Sequence, residues 1–207
     1  LILTGACYSS AEALAKIDPK EIADHNIIWA FHSYDPFLLT HQGATWAGDF
    51  IPYVTGLPYP LTAVPRAELD AAIEAIRKKI RDKAPSERRD GLLAYLDEQV
   101  ASMDTDEKLE SLMDAPFAKV EAWAKANGIS PADITLGEFG MIRQEYGNPF
   151  VMPARYRAAY VMDMIRRADA HGFSWSVWSY GGAFGIVDAF DGRKAEPDVM
   201  DAIRSLR

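Results

Sequence analysis

The sequence predicts an α/β fold with parallel strands, on three observations. Apolar, β-branched or aromatic runs of strand length recur at residues 27–31, 134–138 and 173–179. Between them, apolar residues fall at three- and four-residue spacing over long stretches, the period of an amphipathic helix. Each run then passes into glycine or into side chains with chemistry to offer. In parallel α/β folds, the C-terminal ends of the strands are where sites are built.

The elements follow in order. Ser9 or Ser10 is placed to cap a short helix over residues 10–17. The run at 27–31 predicts a strand. Residues 35–65 carry prolines at 36, 52, 58, 60 and 65, and predict a long loop of the kind that serves as a lid or binding loop. Helices are expected over 66–83, 91–103 and 106–127. In the first, Leu69, Ile73, Ile76 and Ile80 make one apolar face, and Gly128 stops the last. A strand at 134–138, read as buried on both faces, a helix at 153–171, a strand at 173–179 and a helix at 196–206 complete the chain. The stretch 66–104 is longer than one βα unit requires, and its charge pattern reads as a solvated helical hairpin inserted in the fold. Trp29, Trp123 and Trp175 are expected in the core. His25, at a strand start, and His171, a favourable charge at a helix end beside Gly172, are read as structural. The sequence has no internal repeat and no low-complexity tract.

Composition narrows the partners. Of 207 residues, 49% are hydrophobic and 25% charged, as in ordinary globular proteins, and the net charge is −8. That charge argues against nucleic acid or an anionic membrane as partner, since both demand basic patches. No apolar run approaches the roughly 20 residues of a membrane span. The single Cys7 allows no internal disulfide and is expected as a small buried residue in an apolar strand.

The stretch Ile134-Thr-Leu-Gly-Glu-Phe-Gly140 concentrates the chemistry. It delivers one carboxylate, Glu138, at the end of an apolar strand, where an acid is costly unless it has a task. Glu138 is the leading catalytic candidate. The alternative is a capping or loop glutamate. His32 and Tyr34 follow the 27–31 strand and point to one side by the two-residue period. The next loop carries His41, Gln42 and Trp46, and the last strand ends in Trp178 and Tyr180 before Gly181. Aromatic faces with His, Tyr and Gln suit a sugar ring and its hydroxyls. His32, Asp35 and His41 could hold a metal, but their spacing is wide and irregular. The chain has no G-x-S-x-G elbow, phosphate loop, C-x-x-C or H-E-x-x-H.

The pattern H-x-Y-x-P-F-x-x-T-H-Q-G-A-x-W, then L-G-E-F-G, then W-S-x-W-S-Y-x-G-x-F-G-I, resembles glycoside hydrolase family five, the cellulase family of retaining (β/α)8, or TIM, barrels. The resemblance implies Glu138 as nucleophile, His32 and Tyr34 as its catalytic companions after the sixth strand, and Trp178 closing the eighth. His41, Gln42, Trp46, Trp178 and Tyr180 are then the substrate-binding set. Leu1 to Tyr8 resembles the fifth strand. The family's Asn-Glu general-acid element has no counterpart in the sequence. Barrels of this kind usually take about 250 residues. Residues 1–207 are therefore expected to be the C-terminal half of the barrel, strands five to eight, with a helical insertion near 66–104. The N-terminal half is its expected partner and the source of the general acid. The implied substrate is a β-linked oligosaccharide or polysaccharide, with no metal or organic cofactor, and the resemblance favours a secreted or periplasmic location. Among loop acids, Asp35, Asp49, Glu145, Asp188 and Asp191 are alternatives for the second carboxylate. Two further readings stay open: a non-catalytic carbohydrate-binding half barrel, and an inactive interaction domain.

Overall fold

The computed structural model describes residues 1–24, 26–187 and 196–206. His25, Asp188 and Asp191, singled out above, lie outside the described residues. Four strands form one sheet: β1 (Ile2–Thr4), β2 (Ile28–His32), β3 (Ile134–Phe139) and β4 (Ser174–Val177). They lie side by side in chain order, and every neighbouring pair is parallel. All four C-terminal ends therefore fall on one rim.

Helices cover one face of the sheet. Ser10 caps the helix Ala11–Leu14, its hydroxyl accepting from the Ala13 N–H at 3.2 Å. Thr105 caps Asp106–Asn127 in the same way, and Gly128 ends that helix in the left-handed conformation, φ 67°. The helix Arg66–Lys83 buries the expected Leu69, Ile73, Ile76 and Ile80, and Arg89–Ala101 follows it. The helix Ala154–Ala170 crosses from β3 to β4, and Pro197–Arg204 packs beside it. Among the described residues, no helix is long and apolar enough to cross a membrane.

Aromatic side chains lock the sheet to this layer. Trp29 meets Trp123 edge-on at 5.2 Å, and the Trp123 indole N–H donates to the Ile17 carbonyl at 2.9 Å. Phe31, fully buried, meets Phe117 at 5.4 Å and Phe173 at 6.0 Å. Trp29 and Trp123 are core residues as expected, whereas Trp175 is only partly buried.

Three expectations are corrected. β3 is not buried on both faces: Ile134 and Leu136 are covered, while Thr135 and Gly137 alternate with them as half-exposed, because helices pack on one side only. Cys7 is exposed. β1 stops at Thr4, and Cys7, Tyr8 and Ser9 turn through positive φ before Ser10 bridges His32. The first helix is also shorter than residues 10–17, ending at Leu14. At the sheet's two ends, β1 and β4 each pair on one side only among the described residues.

Removing the Phe31 ring leaves a cavity between three elements, so Phe31→Ala should cost about 3–5 kcal/mol. Urea unfolding measures this directly, and a loss below about 1 kcal/mol would show that β2 is not fixed through this ring.

Candidate active site

The site begins with a register shift. β2 and β3 pair Trp29 with Ile134, Ala30 with Thr135 and Phe31 with Leu136, and then His32 with Glu138. β3 carries one extra residue, Gly137, at this point, and such bulges re-aim side chains. A Cβ at Gly137 would sit 3.2 Å from two atoms of the His32 ring, so glycine lets the imidazole lie over the strand. The same tightness recurs at Gly140, where a Cβ would lie 2.0 Å from the Trp178 carbonyl oxygen. Close approach thus imposes glycine at 140, where the neighbour is backbone, while at 137 a side chain would require the His32 ring to shift by a few tenths of an ångström.

Glu138 emerges from this bulge into a cluster of donors. The Tyr34 hydroxyl donates to Glu138 Oε2 at 2.9 Å, and His32 Nδ1 lies 3.3 Å from the same oxygen. Burial, followed by the hydrogen bond to the Glu138 carboxylate, raises the Tyr34 pKa far above the ordinary phenol value. Tyr34 therefore stays a proton donor to the carboxylate at any physiological pH. Burial lowers the His32 pKa, against the opposing pull of the Glu138 charge.

Loops from the neighbouring strands close in. Thr40 Oγ1 donates to the Tyr34 carbonyl at 2.7 Å and sits 3.0 Å from His41 Nδ1. His41 is buried, stacked on Phe37 at 3.8 Å and edge-on to Tyr34, Trp46 and Phe184. That enclosure pulls its pKa down to about 4. The result is a cavity of about 590 Å³ lined by His32, Tyr34, His41, Trp46, Glu138 and Trp178, together with Tyr8, Ser9, Phe37, Ala47, Gly48 and Phe184. Trp46 and Trp178 keep 60% and 46% of their surface exposed, as platforms facing open space do. A cavity with one carboxyl group, a hydroxyl donor, an imidazole and aromatic walls can bind a sugar ring and present a carboxyl group to it.

Six of the eight residues expected at the site line this cavity. Gln42 does not: it is 2% exposed, its amide donates to the carbonyls of Leu39 and Leu57, and its carbonyl accepts the Leu57 N–H. It clamps the loop in place of binding a ligand. Tyr180, 72% exposed, lies beyond the lining. Among the described residues, Glu138 is the one carboxylate that lines the cavity. Of the described loop acids named as alternatives, Asp35 is not among the cavity-lining residues, Asp49 lies in a neighbouring groove, and Glu145 is buried and accepts from the Tyr146 N–H. Among the described residues, no three His, Cys, Asp or Glu side chains gather as a metal site would require.

Sequence reading missed Arg157. From the helix Ala154–Ala170, its buried guanidinium donates to the carbonyls of Met141 at 2.8 Å and Phe184 at 2.6 Å, and pairs with Glu196 at 3.2 Å. It ties together the loops that follow β3 and β4. Burial lowers its pKa to about 10 despite Glu196. The signal was present: one cation on the helix face that also carries Tyr156, Tyr160, Val161 and Met164. Phe37 and Phe184 were also missed as wall residues, although both fall inside the quoted motifs.

Comparison with known proteins identifies the family and the fold. Residues 1–183 match the family model described as cellulase, glycosyl hydrolase family 5. Endoglucanase 3 of Fibrobacter succinogenes is 22% identical over 188 residues, covering 91% of this chain and 24% of that protein. Cellulose synthase subunit Z of Clostridioides difficile superposes with a TM-score of 0.61 at 19% identity, over 98% of this chain and 48% of that one. A hyperthermophilic endo-β-1,4-glucanase solved with substrate gives 0.57 at 23% identity, over 98% and 47%. The chain thus spans about half the length of these structures and about a quarter of the curated relative. The shared fold is that of the (β/α)8 barrel enzymes, and this chain accounts for part of such a barrel.

Two outcomes follow from the packing. Gly140→Ala drives a Cβ into the Trp178 carbonyl, so it should destabilise by about 1–3 kcal/mol or more and shift tryptophan fluorescence; a wild-type melting point and spectrum would refute the close approach. His41 ionises near 6.5 when unfolded and at about 4 when folded. As pH falls, the unfolded chain takes up this proton first. The stability tied to neutral His41 is therefore full above pH 6.5 and is lost between 6.5 and about 4, up to roughly 3 kcal/mol. Urea midpoints across that range should fall less steeply in His41→Phe; equal slopes would exclude His41 as the source.

Proposed function

This chain belongs to the cellulase family, glycosyl hydrolase family 5, and on that premise we propose that it carries the nucleophile side of a retaining glycoside hydrolase acting on β-linked glucans or related oligosaccharides. The observation that carries this reading is Glu138, held by the Tyr34 hydroxyl and set beside His32 at an aromatic-walled cavity on the strand-end rim.

In this reading the reaction is a double displacement. A Glu138 oxygen attacks the anomeric carbon as the bond to the leaving oxygen breaks, and a second carboxyl group protonates that oxygen. The glycosyl ester on Glu138 is then opened by water, which loses its proton to the same second carboxylate. The Tyr34 hydrogen bond fixes which Glu138 oxygen is left free to attack. His32, Trp46 and Trp178 hold the ring, His41 braces Tyr34 from behind, and Tyr180 is available to a sugar further out. We assign the general acid to strands of the barrel outside this chain, an N-terminal half that would complete the site. That assignment is supported by the single carboxylate that the described residues contribute to the cavity lining. The helices Arg66–Lys83 and Arg89–Ala101 are read as an addition to an ordinary βα unit. The lone carboxylate also favours a second reading, a non-catalytic carbohydrate-binding half barrel.

Kinetics of the full-length protein separate the two. Glu138→Gln should lower kcat by roughly a thousandfold or more while sugar binding persists, since shape and much of the hydrogen bonding remain. Trp178→Ala should weaken binding and rate together, because a stacking platform acts in ground and transition states alike. The partner carboxylate should lie about 5–5.5 Å from Glu138, and NMR of the first product should show retained anomeric configuration. Inverted product, or full activity in Glu138→Gln, would remove Glu138 from the nucleophile's role, and binding without any hydrolysis by the wild type would favour the second reading.

A further inference from the structure

Arg157 is a buried cation to which the reaction above gives no part. It lies beneath the rim, 3% exposed, and is not among the cavity-lining residues. We propose that Arg157 is a positioning residue for the site: by fixing the turn that carries Phe184, it holds Tyr34 against Glu138. The inference rests on the glycosidase reading above.

The first ground is the fork of the guanidinium. Its Nε donates to the Met141 carbonyl at 2.8 Å, and Nη2 donates to the carbonyls of Phe184 at 2.6 Å and Gly185 at 3.2 Å. Nη1 faces a Glu196 oxygen at 3.2 Å, and Arg143 Nε donates to the same oxygen at 3.1 Å. Met141 follows β3, the strand that carries Glu138, while Phe184 and Gly185 follow β4. One planar group therefore sets the spacing of the segments after two strands. A lysine ammonium is a point charge without this fork and cannot hold the same carbonyls together. The second ground is the stiffness of the turn. The Gly185 N–H donates to the Gly182 carbonyl at 2.9 Å, and a Cβ at Gly185 would lie 2.7 Å from the Gly181 Cα. The turn is packed closed on itself, so a grip on its carbonyls holds it as a unit. The third ground is where the Phe184 ring lies. It is buried, edge-on to Tyr34 at 5.8 Å and to His41 at 5.2 Å, and a Cβ at Gly140 would come within 3.4 Å of it. The ring thus fills the space between the end of β3 and Tyr34, whose hydroxyl donates to Glu138 at 2.9 Å. Displacing it gives Tyr34 room to turn from the carboxylate, and a misplacement of about 1 Å can cost about a hundredfold in rate.

The test uses the full-length protein, β-1,4-linked gluco-oligosaccharides as substrates, and variants whose folding is established by melting curves. Arg157→Lys keeps the charge and loses the fork, so kcat should fall by about tenfold or more while KM changes by less than about threefold. Phe184→Leu should give a similar fall, and the double variant should be little worse than either single one, because both act along one path. Additive losses in this cycle, or wild-type kcat in Arg157→Lys, overturn the proposal. If Arg157→Lys does not fold, Glu196→Gln, which releases one side of the fork, takes its place in the same cycle. A further arm needs no turnover: 4-fluorophenylalanine is incorporated in place of Phe184. Its fluorine resonance should shift or split in Arg157→Lys, and an unchanged resonance overturns the positioning role even if hydrolysis is confirmed. If the wild type hydrolyses none of the substrates, the glycosidase reading fails by itself; a shifted resonance then still upholds the grip of Arg157 on Phe184, and an unchanged one overturns it.

Discussion

One extra residue in β3 sets the geometry on which everything else in the site depends. Without the bulge at Gly137, His32 would face a glycine, and Glu138 would fall one position further along, on the other side of the pleat. With it, His32 and Glu138 become register partners, and Tyr34 reaches the same carboxylate oxygen. The sheet ladder thus fixes the separation of His32 and Glu138 through backbone pairing.

The rim is then held by buried groups more than by surface charge. The Ile142 N–H donates to the Thr40 carbonyl and the Arg143 N–H to the Ala183 carbonyl, so the loops after β2, β3 and β4 are laced to one another. Arg157 sits beneath them with three loop carbonyls in reach. The exposed pairs along Arg66–Lys83, such as Arg66–Asp70 and Lys78–Asp82, each contribute little because water screens them. Losing Arg157 would leave buried carbonyls unpaired and Glu196 held by Arg143 without its buried partner, a far larger penalty.

The strands were legible because apolar runs end abruptly in polar and aromatic side chains; Glu138, His32, Tyr34 and Trp178 stand at or just past those strand ends and line one cavity. The parallel order followed from alternation with helices of the right length. What escaped was tertiary. Gln42 reads as a sugar ligand in a loop full of polar residues, and only the fold reveals that the Leu39 and Leu57 backbone consumes its amide. Cys7 was misplaced because non-glycine residues at positive φ give no local sign of a strand ending early. Gly137 was read only as part of the run that carries Glu138, because the register shift it makes depends on the neighbouring strand. Arg157 was visible as a charge on an apolar face, but its partners come from two segments distant in sequence.

Tyr34 and Glu138 are separated by 104 positions in the chain, so their contact closes one of the larger loops in the molecule. The entropy of closing a flexible loop grows only with the logarithm of its length, about 0.6 kcal/mol for each doubling. Most of the cost of bringing these two side chains together would be present even with a much shorter connection. The segment between β2 and β3 is therefore free to lengthen, and to acquire helices with their own apolar faces, at almost no thermodynamic expense to the Tyr34–Glu138 contact. Architecture of this kind lets a recognition surface diversify while the chemistry beneath it stays fixed.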